Sequence, residues 1–244
     1  MRHNFELLMK DLWLALEHPG KDRSVMGTAI YGVRRFFPEL MRDPVKLRQV
    51  LEFVLALRSS DAPGRQVEER ELMECLSSLA WQCAGGLEDG ECPRFAEFGM
   101  IGTAPEEFRP MLHALRGLHD FALGCFEFKR PRDSFGGTRR GLAFEILGHV
   151  GRMVDLPEGV AMARRSLKKA KSPEPAKAAE FLRQYFTGRS LSRDDAIVGE
   201  LLSLAATTDS RSTAFSALDA LVETGVISEF MAMDRLSDWK SKHR

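Results

Sequence analysis

One register in the second half of the chain limits the fold more than any other feature. Ala143, Ala178 and Ala214 each stand four residues before a leucine, at Leu147, Leu182 and Leu218. These pairs lie in three apolar segments, GLAFEILGHVG (141–151), AKAAEFLRQYF (176–186) and AFSALDALVETG (214–225), which return about every 35 residues. Three further segments, ARRSLKKA, GELLSLAA and MAMDRLSD, follow them in turn and carry Leu167, Leu201 or Leu202, and Leu236 at the same interval. Spacing of three and four residues puts each set on one face of a helix. A single pair of such helices leaves an apolar face uncovered, so the pairs must stack to build a core. The expectation is an all-α fold, an α-solenoid of antiparallel helix pairs, with a plain helical bundle as the competing arrangement.

The joints between these helices have their own chemistry. Asp155-x-x-Glu158 and Ser192-x-x-Asp195 precede second helices as capping sequences, and Ser172-Pro173 opens a first helix. In DALVETGVISEFMAMDRL (219–236), Gly225 follows Leu218, Leu221 and Val222, where a left-handed cap would close the helix. Val226 should seal that turn, with Ile227 and Phe230 starting the next apolar stripe.

Helical spacing also runs through the first half. Phe5, Leu8, Leu12 and Leu16 make one stripe, and Met26, Ile30, Val33 and Phe37 a second that Pro38 should end. Asp43-Pro44 predicts a capped helix over 45–58, and a further helix runs over 67–84 to Gly85-Gly86. A short helix is expected near Phe95. Thr103-x-x-Glu106 reads as a capping box opening one long helix over 105–128. No segment sustains the alternation of a half-buried strand. The break KRPRDSFGG separates an irregular helical region or cap, 1–128, from the repeats at 136–240, and the two could form one continuous domain.

The arrangement ALVETGVISEF resembles the joint of armadillo repeats, and the wider pairs are similar to HEAT repeats, over residues 136–240. This resemblance implies a right-handed superhelix whose inner face, formed by the second helices, binds an extended peptide or a protein surface. Armadillo proteins grip peptides with asparagines, and the only asparagine here is Asn4, so no residue takes over that role. HEAT-like DNA-repair glycosylases give the fold a second use, nucleic-acid binding, but their catalytic residues have no counterpart that this sequence identifies.

Net charge is zero, yet it is unevenly spread. Residues 51–107 hold 4 basic and 12 acidic side chains, whereas 129–193 hold 15 basic and 6 acidic. The basic segment supplies the candidate partner-binding surface: Arg164, Arg165, Lys168 and Lys169, extended by Arg139, Arg140, Lys177 and Arg183. An acidic protein or peptide is the expected partner and nucleic acid the runner-up, since a stack could align one cation from each pair. The opposite charges could equally complement one another within the protein.

Local marks of catalysis are missing from the sequence: there is no phosphate loop, no His-Glu-x-x-His and no nucleophile elbow. Cys75, Cys83 and Cys92, with His113 or His119, lack the short spacing of a zinc site. His119 and Asp120 are adjacent, which should turn their side chains to different parts of the helix surface. His149 sits where a cation would favour a helix carboxyl end. The expectation is a non-catalytic binding scaffold without cofactor or metal. Charges interrupt the apolar run of the amino-terminal segment, and no apolar run is long enough to span a membrane, which makes the cytoplasm the expected location.

Overall fold

In the computed structural model, residues 4–18, 23–60, 64–84, 95, 98–128, 135–168, 174–187, 189 and 191–242 are described. Among them are twelve α-helices and no named strand. The first half contains α1 (Phe5–Glu17), α2 (Arg23–Val33), α3 (Phe37–Leu40), α4 (Pro44–Ser59), α5 (Arg65–Cys83) and α6 (Arg109–Glu127). The second contains α7 (Gly136–Gly151), α8 (Pro157–Leu167), α9 (Glu174–Phe186), α10 (Ala196–Thr207), α11 (Arg211–Glu223) and α12 (Glu229–Lys242).

Several caps form as the side chains dictate. The Asp43 carboxylate accepts from the amides of Val45 and Lys46, and Asp195 accepts from that of Ile197. At the end of α11, Gly225 takes φ +70°. The Val226 amide donates back to Leu221 O at 3.0 Å, and the Gly225 amide donates to Val222 O at 2.9 Å. These are the two bonds of a Schellman closure, and they satisfy carbonyls that the helix end leaves open. Val226 and Ile227 are buried beneath the turn, but Phe230 is 81% exposed and does not continue the stripe.

Other expected joints fall elsewhere. Pro38 lies in the first turn of the short α3, reached through a 3-10 turn at Arg34–Phe36, so the chain bends there without breaking off. Thr103 and Glu106 do not cap α6: its first helical residue is Arg109, with proline in the opening turn, and Glu106 is exposed. Asp155 does not cap α8, whose opening instead uses Pro157 after Leu156. Instead Asp155 binds Arg189 at 2.6 Å, a charge-assisted bond that outcompetes a neutral amide. Phe95 is not helical. It forms an isolated parallel bridge with Val154, and the following 3-10 helix spans Phe98–Gly102. The Ser172-Pro173 joint and the break at 129–134 lie outside the described residues.

The helices touch in an ordered way. Helices α2, α5, α7, α9 and α11 pack each on the next. Among the remaining helices, α4 meets α6, α8 meets α10, and α10 meets α12. Across the two rows the main partners are α1 with α2, α4 with α5, α6 with α7, α8 with α9, and α10 with α11. Helix α8 therefore packs chiefly on the helix that follows it, one step displaced from the pairing expected from the sequence. Gly159 makes this possible: a Cβ there would come within 3.1 Å of the Phe181 ring on α9. Matching positions show that α7 and α9 run in the same direction, since Lys177 lies against Gly141 and Gln184 against Gly148.

Ala143, Ala178, Ala214, Leu147 and Leu182 are fully buried, and Leu218 nearly so. The buried apolar residues form one cluster that runs from Phe5 to Leu236. Against this core sits a buried charged knot. Glu69 of α5 accepts from Arg58 Nε at 2.9 Å and from Arg139 Nε and Nη2 at 2.6 and 2.8 Å. All three residues are at most 3% exposed. Phe128 lies under both guanidinium groups, and Phe121 and Phe135 flank one each. The knot ties α4 and α5 to α7.

Candidate binding groove

The expected basic surface is largely spent on internal pairing. Arg139 is buried with Glu69 and presents no surface to a partner. Arg140 donates to Glu174 at 2.7 Å, and this fully buried carboxylate also accepts from Ser166. Arg164 makes a bidentate pair with Glu200 at 2.9 and 3.1 Å, and Lys168 approaches the same carboxylate at 3.5 Å. Lys177 pairs with Glu145. Arg183 grips Glu180 on its own helix and reaches Asp219 and Glu223 on α11 at 3.4 and 3.5 Å. Arg165 is exposed, with a bond to Ala161 O, and Lys169 lies outside the described residues.

Most of these links join one helix to the next in the same row. Arg164–Glu200 joins α8 to α10, Lys177–Glu145 joins α9 to α7, and Arg183–Asp219 joins α9 to α11. Electrostatics answer in kind. The Arg164 guanidinium, bonded to Glu200, holds that carboxyl below the usual range against the opposing effect of burial. At Glu180 burial pulls upward, but bonds from Arg183 and Gln184 outweigh it and the carboxyl is again held low. Asp219 goes the other way, raised by burial despite Arg183.

Beside these staples the helices leave a groove of about 1370 Å³. Its walls come from α7 (Glu145, His149), α9 (Lys177, Glu180, Gln184), α10 (Glu200, Ser203, Thr207) and the start of α11 (Ser212, Ser216). The helices read as first of each pair therefore contribute as much as the second helices do. A smaller hollow of about 430 Å³ is bounded by Arg34 of the 3-10 turn, Phe37 of α3, and Ser77, Ser78, Trp81 and Gln82 of α5. His149 lines both.

Two polar atoms of the groove-lining residues lack hydrogen-bond partners although they are buried. Gln184 donates its amide nitrogen to Glu180, which leaves its Oε1 facing Gly148 without a donor. His149 Nδ1 is likewise buried and unpaired. Burial, with the nearby Arg152 charge, lowers the imidazole pKa to about 4, partly opposed by Glu180. The ring is therefore neutral near pH 7 and does not serve as the helix-end cation that its position suggests.

Residues weighed for chemistry in the sequence take structural places. Cys75, Cys83 and Cys125 are buried free thiols, and burial raises the pKa of each, that of Cys83 to about 12. Cys92 lies outside the described residues, among which no cluster of three or more metal-ligating side chains occurs. His119 and Asp120 do meet, with Nδ1 and Oδ1 3.0 Å apart, but the ring is buried against Phe98 and lines neither hollow. No described helix is long and apolar enough to cross a membrane. Comparison with protein-family models, with curated proteins and with solved structures finds no match to this chain.

Proposed function

We propose that this chain is a non-catalytic binding scaffold, a HEAT/armadillo-like α-solenoid that receives an extended polypeptide along one row of its helices. The observation that carries this reading is a pair of hollows that share His149 in their linings, one bounded by α5 and the other by α7, α9, α10 and the start of α11. Packed helices lie about 8–10 Å apart, so four of them cover about 24–30 Å between the first and last axes. An extended chain rises about 3.3 Å per residue and crosses that distance in about eight or nine residues. The groove walls are polar and rich in hydroxyls, which suits the donors and acceptors of an extended backbone. Ion pairs between successive helices hold the walls in place, so little ordering is needed on binding.

Nucleic acid would draw on the same cations. All of the described cations of that surface except Arg165 are paired with carboxylates, which lowers the positive charge open to phosphate contacts.

The reading is tested by selecting nine-residue peptides from a random library on the intact protein. Selected peptides should slow amide exchange over 145–152 and 177–184, and Ser216→Trp, which fills the groove from α11, should weaken them by tenfold or more. Peptides that bind Ser216→Trp as well as the native protein would place their site elsewhere and remove the groove from the account.

A further inference from the structure

Arg34 differs from the cations of the second half. Its one hydrogen bond runs from Nε to the Cys75 sulfur at 3.4 Å, and no described carboxylate lies within ion-pair distance of it. The charge of Glu74 reaches it, but Glu74 is itself paired with Arg70 at 3.6 Å. Arg34 is exposed on the rim of the smaller hollow, with its guanidinium 5.9 Å from the centre of the Tyr31 ring. Tyr31 is 65% exposed, and Trp81, which lines the same hollow, is 46% exposed. Arginine, tryptophan and tyrosine are the residue types that dominate binding energy at protein interfaces, and here Arg34 has Tyr31 beside it and Trp81 in the lining of the same hollow.

The two hollows also differ in charge. Toward α9 and α11, Glu145, Glu180, Glu200 and Asp209 outnumber Lys168 and Lys177. In the smaller hollow the described lining includes one cation, Arg34, and no carboxylate. A groove with this polarity orients what lies in it.

Resting on the scaffold reading above, we propose that the hollow bounded by Arg34, Phe37 and α5 is an anchor site for one acidic side chain of the bound peptide. Arg34 is its counter-charge, and Trp81 is the wall for an apolar neighbour of that residue. The rest of the peptide, neutral or basic, runs over α7 and α9 toward α11. A single guanidinium matches a single carboxylate and can hold it through two parallel N–H donors. The acidic side chain is thus met by an arginine of the first half, because Arg139, Arg140, Arg164, Lys168, Lys177 and Arg183 are already paired with carboxylates.

The test is a double-mutant cycle on the full chain. The probes are labelled nine-residue peptides in a serine-glycine background, with Leu-Glu near one end and a lysine near the other, and a second set with glutamine replacing the glutamate. Fluorescence anisotropy should show about tenfold weaker binding of the glutamine peptide to the native protein, and no preference between the two peptides in Arg34→Met. Trp81→Ala should weaken both peptides. Arg34 and Trp81 are exposed, so both variants should keep the native melting temperature, which is checked alongside. Binding blocked by Ser216→Trp but indifferent to the glutamate or to Arg34 would overturn the anchor and leave the scaffold standing. No binding of any probe, together with failure of the library selection, would reject both.

Discussion

Replacing His149 with glutamine should make the protein less sensitive to mild acid. The imidazole has a folded-state pKa of about 4 against an ordinary 6.5, chiefly because burial disfavours its charged form. Between those values the unfolded chain binds a proton that the folded protein refuses, so stability falls as pH drops from about 6.5 and the loss levels off near pH 4. The full difference of about 2.5 pKa units corresponds to about 3 kcal/mol, and about 2 kcal/mol of it should be lost between pH 7 and pH 5. Urea unfolding of the native protein and of His149→Gln over that range isolates this contribution, because other titrating groups are common to both. The native protein should lose about 2 kcal/mol more than the variant. An imidazole that titrates near 6.5 by NMR, or a stability difference that stays constant with pH, would show that the ring is solvated and refute the reasoning.

Glu69→Gln should destabilise strongly, by about 3–5 kcal/mol, because Arg58 and Arg139 lose the buried carboxylate that both share; chemical denaturation measures this, and a change below about 1 kcal/mol would contradict the knot. Gly225→Ala should cost about 1 kcal/mol through its positive φ alone, since a Cβ there meets no atom within 4 Å. Faster amide exchange confined to 213–239 is the expected sign, and unchanged exchange would rule out the cap.

Local chemistry made much of the helical framework legible. Asp43-Pro44, the apolar stripes of α1 and α2, and the glycine after α11 each act through neighbours a few residues away, so their consequences can be read along the chain. Even local signals failed where another local or distant group offered more. Asp155 looks like a cap but takes Arg189, 34 residues further on. Thr103 and Glu106 match a capping box, yet the helix opens later at Arg109 with its own proline.

Charge was the property that sequence alone could not assign. Arg139 and Arg140 are neighbours in a basic stretch, but one is buried on Glu69 and the other reaches Glu174. Their fates depend on which helix packs alongside, which no spacing within the stretch specifies. The same holds for Arg34, unremarkable in the sequence and notable only because the fold gives it a thiol, two exposed aromatic residues and no described carboxylate within ion-pair distance. Periodicity determined that this chain would be helical and which faces would be buried, because those follow from backbone geometry and the removal of apolar surface from water. The tertiary packing decided which charges pair with which, because an ion pair is set by distance in space and not by distance along the chain.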